Sequence, residues 1–247
     1  SRHHSWAATL AAGALLGLAL AGCATRPPGE ARAVWAGEAV GAPPLPDPAL
    51  RQALIAGAIG EWELFGRQTV LFRGNAESIP HVGAWEDDGG LYSRRVNDYW
   101  RAVAKPHLDG LDCGQPWSAA FVSWVMREAG VPEDQFPSTS AHGVYLAHAI
   151  NEAGYPGRYF VPRDAADYSP SPGDLICAFR GALRPAILPG ETSPETFRGT
   201  NTHCDLVVSK DGRLLDAIGG NVRNSVSRVT LELDGDGRLQ AVPRRTW

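Results

Sequence analysis

Pro116-Trp117-Ser118-Ala119-Ala120-Phe121-Val122-Ser123-Trp124, inside the longer stretch from Cys113 to Gly130, decides how this chain is read. Gly114 supplies a turn, and Pro116 suits the first helical position because the N–H it lacks is one that a helix start leaves unpaired. Trp117, Ala120, Phe121, Trp124 and Val125 then recur at i, i+3, i+4, i+7 and i+8, the apolar stripe of a core-facing helix. Ala129-Gly130 ends it, with Pro132 as a stop beyond. The spacing therefore predicts a loop turning into a buried helix, with Ser118 in its first turn. Free backbone N–H groups and the helix dipole favour negative charge there, which suits a nucleophile; a serine in that place is also an ordinary helix cap.

Upstream, residues 93–104 read as a helix with Val96, Tyr99, Trp100 and Val103 on one face, stopped by Pro106. Asp47-Pro48 is a cap followed by proline at the first helical position, and Leu50, Leu54, Ile55, Ile59, Trp62 and Leu64 carry that helix to Gly66. Residues 69–72 are expected as a short strand and 74–90 as loop. Downstream, 142–153 reads as a helix carrying Val144, Tyr145, Ala147, His148 and Ile150. His142 and His148 are six apart and so do not share a face at metal-ligand spacing. Beyond that helix the pattern changes to strands: 158–161, 174–179, 203–208, 214–218 and 225–233, with a hairpin turn at 234–237 into 239–242. Gly219-Gly220 reads as a break, and 181–200 as a long exposed loop. Helices first and an antiparallel meander second give an α+β class.

A length of 247 residues with 44% hydrophobic and 20% charged residues suits one good core or at most two small domains. A net charge of -4 advertises no surface for nucleic acid. Residues 1–22 match a secretory signal, with Arg2 ahead of an uncharged run that ends Leu20-Ala21-Gly22-Cys23. That ending resembles a bacterial lipobox, which implies lipidation at Cys23 and stable attachment to a membrane through the N-terminal lipid. Ala24 rather than Asp follows, which points to the outer membrane, facing the periplasm, within the cell envelope. Residues 23–46, rich in Pro, Gly and Ala, read as a tether, and 47–247 as a single α+β domain.

Four blocks, in order, resemble a known family. Pro116-Trp117-x-Ala119-Ala120-Phe121-Val122-Ser123-Trp124 resembles the nucleophile helix of CHAP domains, the cysteine, histidine-dependent amidohydrolases/peptidases among the papain-like cell-wall hydrolases. Pro172-Gly173-Asp174-Leu175 resembles a strand start downstream in them. His203-x-x-Leu206-Val207-Val208 resembles their catalytic-histidine strand, and Gly220-Asn221 with Asn224-Ser225-Val226-Ser227 their third-residue strand and the next. Within that relation, the stretch from Leu91 to Thr246 is most similar to a bacterial group known as domain of unknown function 2272. The resemblance implies a papain-like, CHAP-type domain with N-terminal helices packed on a small antiparallel sheet. It implies Ser118, His203 and Asn221 as catalytic residues, and a groove in which Trp117, His142 and Asp205 contact substrate.

The chain departs from the family by carrying Ser118 where the nucleophilic cysteine belongs. A cysteine paired with histidine at a helix start is largely thiolate, whereas serine needs His203 to remove its proton during attack. Gly219 stands where many relatives carry an acid, which leaves Asn221 to orient His203. Beside Cys23 there are Cys113, Cys177 and Cys204. Cys177 reads as a buried small residue, and Cys113 or Cys204 as an alternative nucleophile or as partners in a disulfide, which spacing alone leaves open. Neither a metal motif nor a phosphate-binding glycine loop is present, so no cofactor is expected. Three readings follow: a lipid-anchored hydrolase cutting an amide of peptidoglycan or another cell-wall peptide; a binding module on the same fold; and a structural envelope lipoprotein.

Overall fold

In the computed structural model, which describes residues 47–180, 192–197, 200–245 and 247, Asp47 caps helix α1 (Pro48–Leu64) by accepting from the Leu50 N–H at 2.9 Å. The expected signal segment, Cys23 and the tether lie outside the described residues. A hairpin follows, β1 (Thr69–Arg73) and β2 (Ala76–His81), then helices α2 (Gly90–Ala102), α3 (Ser118–Glu128) and α4 (His142–Glu152). Strands β3 (Leu175–Phe179), β4 (Thr202–Asp211), β5 (Leu214–Val222) and β6 (Ser225–Glu232) complete an α+β architecture.

The six described strands form one sheet in the order β2-β1-β6-β5-β4-β3. The expected meander is β3 to β6, antiparallel throughout. The hairpin widens it, because β1 lies parallel to β6. Strand β2 runs through residues expected to be loop. Its Ala-Glu-Ser-Ile-Pro-His sequence is mostly exposed and contains Pro80, which only an edge position tolerates, so it carries no alternating signal. Residues 158–161 are not a strand: Arg158 is tied to Glu152 and Phe160 packs on Phe136. Nor are 239–241, although the turn before them forms, with Asp234 N–H donating to the Arg238 carbonyl at 2.9 Å.

The helices cover one face of the sheet. Leu54, Tyr99, Trp117, Phe121 and Tyr145 meet Cys204, Leu206, Ile218 and Val226 there. The other face buries Val70, Phe72, Val207, Leu215, Ala217 and Val229 under Leu239, Val242 and Trp247. Strands β4 and β5 are thus buried on both sides, which explains their nearly unbroken apolar runs. Between α1 and α2, the buried Glu61 accepts from Tyr99 and, at 2.9 Å, from Arg95, whose guanidinium also lies over Trp124.

Cys177 and Cys204 stand directly opposite on β3 and β4 and form a disulfide. This corrects the reading of Cys177 as an unpaired buried residue and excludes a Cys113–Cys204 bridge; Cys113 is free and exposed. Closing a loop across a sequence separation of 27 contributes about 3.5 kcal/mol on the chain-entropy account.

The Gly219-Gly220 pair does not break β5, which runs through to Val222 and turns at Arg223-Asn224, both at positive φ, as a two-residue hairpin requires. The glycines are there for close approach. A Cβ on Gly219 would fall 1.8 Å from Asp205 Oδ1, and one on Gly220 2.4 Å from Phe121 Cβ.

Candidate active site

Helix α3 begins at Ser118 rather than at Pro116, and Trp117 is its N-cap. The Trp117 indole is 1% exposed, stacks on Tyr99 at 5.6 Å and donates its N–H to the buried Glu86. That anchoring pins the helix start and removes Trp117 from any groove, correcting its expected place as a substrate contact. The first intrahelical bond runs from Phe121 N–H to the Trp117 carbonyl at 2.9 Å. The N–H groups ahead of Phe121 are therefore the unpaired donors of a helix start, gathered at Ser118.

Ser118 Oγ lies 2.6 Å from His142 Nε2. His142 is the first residue of α4, and its Nδ1 bonds the hydroxyl of Tyr145, one turn along the same face. Gly143 between them lets Phe197 press in; a Cβ there would meet the Phe197 Cβ at 2.7 Å. Burial, helped by the charges of His203 and Arg180 and opposed by Asp205, holds the His142 pKa well below its usual 6.5. Burial and Asp205 also raise the Tyr145 phenol well above its ordinary range, so it stays protonated. In the tautomer that carries the imidazole proton on Nδ1, donated to Tyr145, Nε2 presents a lone pair to the serine hydroxyl. That is the tautomer in which His142 is a base.

His203 is placed differently. It is 1% exposed, and its Nε2 bonds Asp205 Oδ1 at 2.8 Å. The other Asp205 oxygen accepts from Arg245, itself buried. Against the cost of burial, Arg245 and His203 hold the Asp205 carboxyl well below the usual carboxylate range. Burial, partly offset by Asp205, lowers the His203 pKa. The ring of His203 meets that of His142 edge-on, with centroids 5.7 Å apart. The expected Ser118–His203 hydrogen bond is thus not formed: Ser118 Oγ bonds His142 instead, while the His203 Nε2 is held by Asp205. Asp205, expected in the substrate groove, is wholly buried and orients His203, the role expected of Asn221.

Asn221 lies in a bulge: three residue steps from Gly219 to Val222 oppose two from Ser227 to Ser225. Its φ is 54°. The bulge turns it into the wall of a cavity of about 410 Å³, together with Pro116, Ser118, His142, Arg180 and Asn201. Among the described residues no group of three His, Cys, Asp or Glu side chains is placed to hold a metal. Cys113 is a poor candidate nucleophile, since partial desolvation and the carboxylates of Glu86 and Asp87 push its thiol up to about 11.

Sequence reasoning placed Ser118, His142 and Asn221 near substrate, and the structure gathers all three on one cavity wall. It missed Tyr145 as the partner of His142, although a His-x-x-Tyr spacing on a helix puts both on one face. Arg180 and Arg245 gave no signal, since both reach the site from segments without a motif.

The model of a bacterial family described as "Uncharacterized protein conserved in bacteria (DUF2272)" covers residues 86–246. No curated protein and no solved structure matches the chain.

Proposed function

We propose a hydrolytic function for this chain, which belongs to the bacterial family DUF2272 across residues 86–246: cleavage of an amide bond in peptidoglycan or another cell-wall peptide, with Ser118 as nucleophile. The observation that carries this reading is the 2.6 Å hydrogen bond from Ser118 Oγ to a neutral imidazole at a cavity wall. Ser118 Oγ attacks the amide carbonyl while His142 Nε2 takes its proton, and Tyr145 holds the ring through Nδ1. The developing oxyanion meets the free N–H groups at the start of α3, with the Asn221 amide in the same wall. His142 then protonates the leaving amine, and water releases the acyl group by the reverse path. His203, Asp205 and Arg245 support the ring of His142 from behind.

A papain-like ancestry fits a nucleophile helix followed by an antiparallel meander bearing His203, and supports the CHAP-type reading of the domain. The lipobox-like Leu20-Ala21-Gly22-Cys23 supports attachment to the outer membrane, where peptidoglycan is the nearest polymer.

The test is digestion of purified peptidoglycan, with released fragments identified by mass spectrometry. Fragments from the parent that vanish with Ser118→Ala establish the serine nucleophile and name the bond. Cleavage by Ser118→Cys alone makes the native protein a binding module on a hydrolase scaffold. Release that survives Ser118→Ala moves the chemistry elsewhere.

A further inference from the structure

Arg180 sits just past the end of β3, where its N–H donates to the Asn201 carbonyl at 2.6 Å and extends the β3–β4 ladder by one step. Both residues line the cavity that holds Ser118, His142 and Asn221. Among the described residues no carboxylate forms an ion pair with Arg180. Among the described residues the acid that acts on it most strongly is Asp205, and that carboxylate is already shared between Arg245 and His203. The other leading charges among the described residues are positive: Arg245, Arg244 and Arg223. The Arg180 side chain is partly desolvated against the protein yet open to solvent, and desolvation together with those arginines lowers its pKa. A guanidinium stays charged even so. Among the described residues the cavity therefore carries a planar cation with donors to spare and no carboxylate paired to it, beside three further arginines.

We infer that Arg180 is the specificity-determining residue of this cavity and that the ligand it admits is a carboxylate-bearing peptide, held by that carboxylate while its amide lies at Ser118. The inference rests on the hydrolytic reading of the cavity but concerns binding, so the two are separable. A guanidinium fork meets a carboxylate through two parallel N–H···O bonds, and in a partly desolvated wall such a pair orients the peptide as well as holding it. An alternative neutral ligand would leave the Arg180 charge unanswered.

The experiment titrates the full chain carrying Ser118→Ala, which removes the proposed nucleophile, with a soluble stem tetrapeptide and with its counterpart in which every carboxylate is a carboxamide, by calorimetry. The acid is expected to bind roughly ten- to hundredfold tighter than the amide, the range for a charge-assisted hydrogen-bonded pair. Adding Arg180→Ala should erase that preference, and Arg180→Lys should keep part of it, since the charge stays and the fork is lost. Equal binding of acid and amide, no binding of either, a preference that survives Arg180→Ala, or displacement of the peptide by equimolar inorganic phosphate would each overturn the inference. Hydrolysis of the same tetrapeptide by the parent, read separately by mass spectrometry, reports on the proposed function alone.

Discussion

Two buried histidines lie 5.7 Å apart in this protein and are held in opposite ways. His142 opens a helix beside a cavity and bonds a hydroxyl; His203 stands at the start of a strand and bonds a carboxylate whose charge Arg245 already balances. Burial lowers the pKa of both. Their partners separate them. Ser118 Oγ bonds the His142 ring, whereas the Nε2 of His203 is held by Asp205 and no hydroxyl among the described residues bonds that ring. A depressed pKa marks a reactive site only when a reactive neighbour faces it.

The strongest way to break this comparison is to remove the neighbour. Ser118→Ala should lower turnover of cell-wall peptide by roughly a thousandfold or more while the unfolding free energy in urea moves by no more than about 1 kcal/mol. His142→Gln should match it in turnover. A His203→Gln variant that loses as much, with His142→Gln still active, would exchange the roles of the two rings.

On the strand side the expected effect is on stability. Asp205→Ala leaves Arg245 charged, buried and unpaired, and should cost roughly 3–5 kcal/mol in the same denaturation. A loss within about 1 kcal/mol would mean that water reaches Arg245 and that this side is not the dry one.

Acid sharpens the contrast further. Burial holds both imidazoles neutral, so their folded pKa values lie below the ordinary 6.5, and the unfolded chain takes up those protons first. Stability is complete above pH 6.5 and falls as the pH drops below it. Asp205, depressed from 3.8, adds a second loss at lower pH, as its carboxylate is finally protonated. Thermal melts across that range should show two stages, with Asp205→Asn removing the second. Turnover should hold down to pH 6.5 and decline only below it, because His142 is still neutral there. The smallest effect belongs to Tyr145→Phe, which deletes the hydroxyl bonded to His142 Nδ1. Turnover should fall about tenfold, with KM unchanged, as expected for one neutral hydrogen bond.

Local pattern was legible in the sequence wherever one element answers to one periodicity. The apolar stripe of α3, the Asp47-Pro48 start of α1 and the alternation in β6 are each set by their own side chains and appear where expected. So was the placement of Ser118 at a helix start, because capping chemistry and helix dipoles act within one turn. The edge strand β2 was not legible: its stability comes from pairing with β1, and its exposed faces need no pattern. Gly219-Gly220 was misread for a related reason. Glycine signals a turn in isolation, but here it makes room for Asp205 on one face and Phe121 on the other.

By itself, then, the sequence determined an α+β chain with a buried helix presenting a serine, followed by a meander carrying a histidine. Tertiary structure alone decided which histidine meets that serine, which cysteines join and where Asn221 and Arg180 point. These are contacts between residues far apart in the chain. They depend on strand register and on a one-residue bulge, neither of which leaves a trace in local spacing.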